Sequence, residues 1–388
     1  MRASDLEVSE LSRERFPRTH EVLEQGLAEG VAPGFVAGFW SEARQGEALI
    51  TAVGSRRRLP SVQPMKSDTI FDLASVTKIY ATSMLAAVLV DRGWLSYDAP
   101  VAAFFPKYAF PEIQISHLLS HTAGFAAWAP YWEKMRAHFS PSSVERVAIA
   151  DRQRQAREWV LESRPEVGVG VRALYSDISF LLLGFILEEV TKMPLDQAVK
   201  HFVFEPLGVE RSYYVHVTRD ADAGRDDQVA ATEDSEWRGG ILQGQVHDDN
   251  CWSMGGYAGH AGVFGDARDL LHFARRLFSG FISIPTLDRM WTRVARPPGC
   301  ERTLGWDTPS DADSMVGSKI SRGAVGHWGY TGTSLWIDPH ARFAVTLLSN
   351  RVHPTRENTL IKAFRPRFHD ALMMDLSSET KKDTISDR

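Results

Sequence analysis

The sequence predicts a mixed α/β fold in which an antiparallel sheet, built from both ends of the chain, is flanked by helices and faces an all-helical lobe. Three observations predict it: strand-like segments near each end, long apolar helical segments between them, and no internal repeat or low-complexity linker dividing the 388 residues. Strands at both ends with helices between favour one sheet made by both ends, with a cleft between sheet and helical lobe.

Residues 35–42 and 47–53 read as two strands joined by a polar turn containing Gly46. Residues 334–338 and 342–348 read as a second pair, joined by Pro339, His340 and Ala341. Between these pairs, residues 76–91 form an apolar helix stopped at Gly93, residues 178–190 a second, and residues 267–278 a third ending before Gly280. The reading is one domain over residues 1–376, with a sheet lobe at about 16–70 and 255–376 and a helical lobe at about 71–254. The polar segment 377–388 is expected to be a disordered tail.

Composition narrows the function. A 44% hydrophobic and 24% charged chain is ordinary for a water-soluble globular protein. A net charge of -5 with no dense Lys/Arg stripe argues against a nucleic-acid partner. The longest uncharged apolar stretches, 79–90 and 178–187, fall short of a membrane span. The first residues, MRASDLEVSELSRERF, do not make a secretory signal, so a cytoplasmic location is expected, or a periplasmic one if a leader has been removed. Cys251 and Cys300 have neither metal-ligand spacing nor the pattern of a disulfide framework and are read as unpaired thiols. Oligomeric state is not written in the sequence.

The chemistry-bearing segment is FDLASVTK, residues 71–78, where Ser75 stands three residues before Lys78 at the start of an apolar helix. Residues at i and i+3 share a helix face, so the amine reaches the hydroxyl. A serine hydroxyl near neutral pH needs a base to take its proton. Lysine can be that base only if burial or neighbouring positive charge lowers its pKa. The free N–H groups of the first helical turn also favour negative charge developing near Ser75. A second Ser-x-x-Lys, Ser378 and Lys381, lies in the polar tail and is read as chance.

With these residues in view, the chain resembles the class C β-lactamase and penicillin-binding protein superfamily of serine hydrolases. Within it, the chain is most similar to the AmpC-like branch that includes low-molecular-mass D-alanyl-D-alanine carboxypeptidases and related esterases. The resemblance runs from about residue 31 to 356 and is carried by ordered segments: FDLASVTK, then ISHLLSHTAGF (115–125), then LYSDISFLLLGFILE (174–188). GQVHDDNCWSMGGYAGHAGVF (244–264), GHWGYTGTSLWIDP (326–339) and LLSNRVHP (347–354) complete the series. It implies a β-lactamase/transpeptidase-like fold with no cofactor, in which Ser75 forms the acyl-enzyme, Lys78 accepts its proton, and Tyr175 passes a proton to or from the leaving group. Whether Lys78 or Tyr175 is the base stays open. The resemblance further implies an oxyanion hole made by the backbone N–H groups of Ser75 and Tyr330, a substrate-lining strand with His327 and Trp328, and a Gly329 that lets that strand approach the substrate.

Three positions depart from the family pattern. Asp177 stands where many relatives carry Asn, and a carboxylate accepts hydrogen bonds without donating them, so recognition of an acyl-amide carbonyl at this substrate-binding position is put in doubt. His327 replaces Lys, making attraction of a substrate carboxylate conditional on its protonation. Trp328 replaces the Thr whose hydroxyl would help bind that carboxylate. The cluster His247, Asp248, Asp249 with His260 invites a metal reading, but the family chemistry needs none, and internal hydrogen bonding is expected instead; His117 and His121 are expected to be structural.

These readings converge on acyl transfer to water through a Ser75 acyl-enzyme, acting on peptidoglycan-derived peptides or small acyl substrates. A carboxylesterase of the same fold is the alternative that Asp177 and Trp328 favour, and β-lactamase activity is a third option. A binding module without turnover is the alternative of another class, which the intact set of Ser75, Lys78 and Tyr175 opposes.

Overall fold

The computed structural model describes residues 2–44, 46–139, 144–218, 228–310 and 314–386. Among them the elements that position the site are, in chain order, β1 (Val8–Glu10), α1 (Pro17–Ala28), β2 (Gly34–Ser41), β3 (Ala48–Arg57), α2 (Ser83–Asp91), α3 (Asp177–Thr191), α4 (Ala267–Phe278), β4 (Val325–Trp328), β5 (Ser334–Asp338), β6 (Phe343–Ser349) and α5 (Ile361–Ser386). The main sheet runs β1-β3-β2-β6-β5-β4, with Gln63–Pro64 paired to β3. Both predicted strand pairs are therefore neighbours in one sheet, joined where β2 meets β6 antiparallel, Phe35 opposite Ser349 and Ser41 opposite Phe343. The exception to the antiparallel expectation is β1, which runs parallel to β3. Three residues are too few to show a strand period, and β1 lies ahead of the sheet lobe expected from residue 16.

Side chains of β2 alternate between two cores, as the period of a strand requires. Phe35, Ala37 and Phe39 join Leu23 of α1 and Phe364 and Phe368 of α5 on one face. Val36 and Trp40 join α4, α2 and α3 on the other. With both faces covered, every residue of β2, β5 and β6 is buried. β4 ends the sheet opposite β1, bridged on its outer side only at Gly326 by Asp307 among the described residues, and the candidate site lies along it.

The segment predicted as one helix over 76–91 is helical throughout, but it enters as a 3-10 turn at Ala74–Val76 and a π-helical turn at Lys78–Thr82 before α2. π-turns of this kind occur frequently at functional sites. The window Ala74–Asp91 is long and apolar enough to cross a membrane by composition, yet 83% of it is buried inside the protein, as befits a core helix.

The tail expected to be disordered departs from that reading. α5 continues through Ser386, with residues 387 and 388 outside the described set. Its polar composition concealed anchors from the other end of the chain: Asp375 accepts from the Thr19 N–H at 2.8 Å, and Glu379 from Arg15 at 2.5 Å and Arg44 at 3.0 Å. Cys251 is buried, donating to the Ala261 carbonyl at 3.3 Å, and both cysteines are free thiols.

Candidate active site

Ser75 is placed by the strand before it. Phe71–Asp72 pairs with Val263–Gly265, and Asp72 then accepts from the Ala74 N–H at 2.8 Å and the His247 N–H at 2.6 Å. These bonds hold Ala74 at φ 46°, a left-handed conformation that alanine adopts at a cost. The turn presents Ser75 at the mouth of a cavity of about 680 Å³ whose walls include Tyr175, Arg302, His327, Trp328 and Arg365.

Lys78 Nζ lies 3.0 Å from Ser75 Oγ and 2.9 Å from the His260 carbonyl, and the Tyr175 hydroxyl lies 2.7 Å from Ser75 Oγ. The three residues read from the sequence thus meet at one oxygen. Asp177, expected to bind substrate, instead sets its Oδ1 2.7 Å from Lys78 Nζ, and the cavity lining does not include it. Both sit at the start of the helical segments that carry them: Ser176 caps α3 by accepting from the Ser179 N–H, which makes Asp177 its first residue.

This pairing decides the protonation of the site. Complete burial presses Lys78 toward the neutral amine, but the Asp177 carboxylate, with the Tyr175 oxygen, outweighs burial and holds its pKa above the ordinary lysine value. The condition on which lysine could serve as the base, a lowered pKa, is therefore not met in the resting site, because the neighbouring charge is negative. Burial also raises the Tyr175 pKa, more than Lys78 lowers it. At rest Lys78 is held as the ammonium and Tyr175 as the neutral phenol.

His327 faces the same space, its ring 5.7 Å from that of Tyr175. Its Nδ1 is 2.8 Å from the Trp328 carbonyl, an acceptor only, so Nδ1 carries the hydrogen and the buried Nε2, which has no partner, is bare. Burial, reinforced by Lys78, holds its pKa well below the ordinary value, so His327 is neutral. Trp328 also lines the cavity, its ring 4.9 Å from Trp336 and 5.9 Å from His369.

The turn after β4 brings Tyr330 beside Ser75. The Tyr330 N–H makes no hydrogen bond within the described protein, and the Ser75 N–H sits in the first turn of the 3-10 segment, where amides lack helical acceptors. Thr331 donates to the Asp72 carbonyl at 2.7 Å and Thr333 to the Leu73 carbonyl at 2.9 Å, bracing the segment that carries one amide against the turn that carries the other. Gly329 permits this brace: a Cβ there would stand 1.9 Å from Thr333 Oγ1 and 2.6 Å from the Leu73 carbonyl. The close approach expected at Gly329 is thus to the protein's own backbone.

Further residues brace the site, some of them named from the sequence and others, such as Arg302, not. His260 holds Lys78 through its carbonyl while its ring Nε2 meets Asp248 at 2.9 Å, and Asp248 also accepts from the Cys251 N–H at 2.7 Å. His247 meets Glu233 at 3.1 Å, and Asp249 meets Arg356 at 3.2 Å. The quartet weighed for a metal is thereby spent on internal hydrogen bonds and ion pairs. His121 accepts from the Ser176 N–H at 3.0 Å and packs 4.7 Å from the Tyr175 ring, and His117 accepts from the Gln114 N–H at 3.1 Å. Arg302, ion-paired with Asp307, lies 5.6 Å from the Tyr175 ring centre. Its segment carries no motif that would have drawn attention to it.

Comparison with known proteins identifies the family. The family described as Beta-lactamase matches residues 20–365. The Escherichia coli (strain K12) protein named "Putative D-alanyl-D-alanine carboxypeptidase" is 30% identical over 323 residues, 75% of this chain and 71% of that one. Among solved structures, EstCE1, a hydrolase with promiscuous acyltransferase activity, superposes with a TM-score of 0.70 at 23% identity, over 93% of this chain and 99% of that one. A class C beta lactamase from Rhodobacter sphaeroides gives 0.64 at 22%, over 92% and 99% of the two chains. A penicillin-binding protein homolog from Caulobacter crescentus gives 0.67 at 20%, over 93% and 98%. The chain belongs to the beta-lactamase family and is a serine hydrolase of that fold.

Proposed function

We propose that this hydrolase transfers an acyl group to water through an ester on Ser75, and that its substrates end in D-alanyl-D-alanine or a related acyl-D-amino acid. The observation that carries the chemistry is the meeting of Lys78 and Tyr175 on Ser75 Oγ, at 3.0 and 2.7 Å, at the mouth of the cavity. Supporting the substrate class are the name of the 30% identical relative and the guanidinium of Arg302 in the cavity wall, a charge suited to a terminal carboxylate.

An ammonium has no lone pair, so Lys78 accepts the Ser75 proton only as it gives one up. Asp177 is the base within reach. As substrate fills the cavity and excludes water, the separated charges of Lys78 and Asp177 become costlier. Lys78 then passes a proton to Asp177 while taking the proton of the Ser75 hydroxyl, and the serine oxygen bonds to the acyl carbon. The oxyanion is held by the N–H groups of Ser75 and Tyr330. Tyr175 donates to the leaving amine or alkoxide and is reprotonated by Lys78, which takes back the proton held by Asp177; with Asp177 again a carboxylate, water repeats the sequence on the ester.

A second reading, a carboxylesterase, is favoured by the neutral His327 and by Trp328, neither of which offers a cation to a substrate carboxylate. Intact mass after incubation with a penicillin, with Ser75→Ala as control, tests the nucleophile: an adduct on the wild type alone is expected. Turnover of diacetyl-L-lysyl-D-alanyl-D-alanine against 4-nitrophenyl acetate then separates the readings. Turnover of the ester with an inert peptide and no penicillin adduct would overturn the peptidase reading. Hydrolysis of both unchanged in Ser75→Ala would overturn the mechanism.

A further inference from the structure

Two buried arginines beside the cavity have no carboxylate partner among the described residues. Arg365 is 4% exposed; its Nη2 meets only the carbonyl oxygens of Gly329 at 3.2 Å and Thr333 at 3.1 Å, and its Nε has no partner. Arg351 is 5% exposed, its Nε 2.7 Å from the Tyr330 carbonyl and its Nη1 bonded to the carbonyls of Arg356 and Asn358 at 2.9 and 2.6 Å. A guanidinium buried without a counter-ion is costly, and apolar side chains would fill the same volume more cheaply. Fold support alone is a poor reason to keep Arg365, because both of its acceptors have other donors: Gly329 O takes the Gly332 N–H at 3.1 Å, and Thr333 O takes the Gly329 N–H at 2.7 Å.

The acceptor Gly329 O belongs to the same peptide unit as the Tyr330 N–H. A cation hydrogen-bonded to the oxygen of a peptide withdraws electrons from its nitrogen, so the N–H at the other end becomes a stronger donor. Arg351 grips the next carbonyl, that of Tyr330, so the two guanidinium groups fix the peptide planes on either side of the Tyr330 α-carbon. Trp328 stacks over Arg365 with its ring centre 4.4 Å from Cζ, which keeps water from the charge and preserves its field.

We propose that Arg365, assisted by Arg351 and covered by Trp328, is a positioning residue of the oxyanion hole, polarising and orienting the Gly329–Tyr330 peptide so that the Tyr330 N–H binds the reacting oxygen. This rests on the reading of Ser75 as nucleophile and Tyr330 as oxyanion donor. It adds to that reading a charge in the cavity wall that acts through the peptide carrying the oxyanion donor, and it gives Trp328 a function in place of the hydroxyl it displaces.

The test compares wild type, Ser75→Ala, Arg365→Met and Arg365→Lys on 4-nitrophenyl acetate, with thermal melting as the check on folding. Arg365→Met is expected to melt near the wild type and to lose about tenfold or more in kcat with KM within about twofold, less than the roughly 10²–10³ lost when an oxyanion donor is removed outright. Arg365→Lys is expected to recover part of the loss. Infrared spectroscopy of the acyl-enzyme formed from carbonyl-labelled ester should show the ester carbonyl stretch moving to higher frequency in Arg365→Met, as polarisation weakens. Folded Arg365→Met with wild-type kcat and an unmoved stretch would overturn the proposal, as would a loss confined to KM, which marks a direct substrate contact. Should Arg365→Met fail to fold, the stretch in Arg365→Lys decides: a shift supports the proposal and its absence overturns it. Turnover that survives in Ser75→Ala would instead bring down the functional reading beneath it, an outcome distinct from all of these.

Discussion

Replacing Gly329 with alanine puts a methyl group where the structure has no room. The new Cβ would lie 1.9 Å from Thr333 Oγ1 and 2.6 Å from the Leu73 carbonyl, where real Cβ contacts essentially never fall under 3.0 Å, so the turn must retreat by about 1.1 Å from the first of these atoms. Thr333 is buried and already bonded to Leu73, and the Leu73 carbonyl is backbone two residues before the nucleophile, so neither yields cheaply. Overpacking of this kind costs about 1–3 kcal/mol of stability. The retreat carries the adjacent Tyr330 N–H with it, and misplacing a catalytic group by about 1 Å costs on the order of 10²-fold in rate. The expected result for Gly329→Ala is therefore a fall in kcat of about 10²-fold on 4-nitrophenyl acetate, a much smaller change in KM, and a lower melting temperature. Thr333→Ala alone removes one buried hydrogen bond, about 1 kcal/mol, and should leave most of kcat. Adding Thr333→Ala to Gly329→Ala should recover part of the rate, since it removes the nearer of the two clashes and leaves the other. Wild-type kcat and melting temperature in Gly329→Ala, or a double variant slower than both singles combined, would refute the reasoning that this glycine serves the brace between the two oxyanion amides.

Further outcomes follow from the same coordinates. Asp177→Asn removes the charge that does most to keep Lys78 protonated against burial, so the lysine pKa falls. At pH 6–7 kcat should drop by about 10²–10⁴, the usual worth of a general base, and should climb with pH as Lys78 deprotonates; an unchanged rate at pH 6 would rule out Asp177 as the proton sink. Lys78→Met should lower kcat by a similar factor at every pH, with no alkaline recovery. Ala74→Gly relieves the φ of 46° and should raise stability to urea by about 0.5–1 kcal/mol, and a destabilised variant would show the turn unstrained. Glu233 is penalised by burial, but bonding to His247 and Arg356 overcomes this and pulls its pKa from 4.5 to about 2. A depressed carboxylate stabilises above its unfolded pKa and loses that contribution as pH falls through the folded one. Wild type should therefore lose up to about 3 kcal/mol between roughly pH 5 and 2 that Glu233→Gln does not lose.

The fold and the nucleophile were legible because each rests on local pattern. Short apolar runs bounded by polar turns mark β2 and β6, longer apolar runs mark α2 and α3, and the three-residue step from Ser75 to Lys78 places both groups on one face. What the sequence concealed is interaction across long separations. Nothing near Lys78 says that Asp177, 99 positions later, will reverse the sense of its pKa shift, and the same aspartate read as a substrate ligand when judged by its own motif. The polar composition after Ser377 looked like a solvated tail, because the arginines that anchor it, Arg15 and Arg44, lie at the other end of the chain. Arg365 sits in a helix with no catalytic motif, and only the fold shows that its guanidinium reaches the turn carrying Tyr330.

The departures in the third motif become one electrostatic rearrangement when taken together. A lysine at position 327 would have faced the cavity as a cation free to meet a substrate carboxylate, whereas the neutral His327 offers that group nothing but a bare Nε2. The turn has not lost positive charge, because Arg365 holds the Gly329 and Thr333 carbonyls with Trp328 stacked over it, its guanidinium still charged at neutral pH although burial lowers its pKa to about 9. Charge in front of the strand binds substrate and transition state alike, while charge acting through the Gly329–Tyr330 peptide favours the state in which the carbonyl oxygen has become negative. Moving the cation from the strand's own side chain to the carbonyl of the Gly329–Tyr330 peptide therefore trades affinity for a carboxylate-bearing ground state against stabilisation of the oxyanion itself. A Trp328→Thr, His327→Lys variant should reverse the trade, lowering KM for the D-alanyl-D-alanine peptide relative to 4-nitrophenyl acetate while kcat falls on both, and a variant that gains in both quantities would show that the two changes are unconnected.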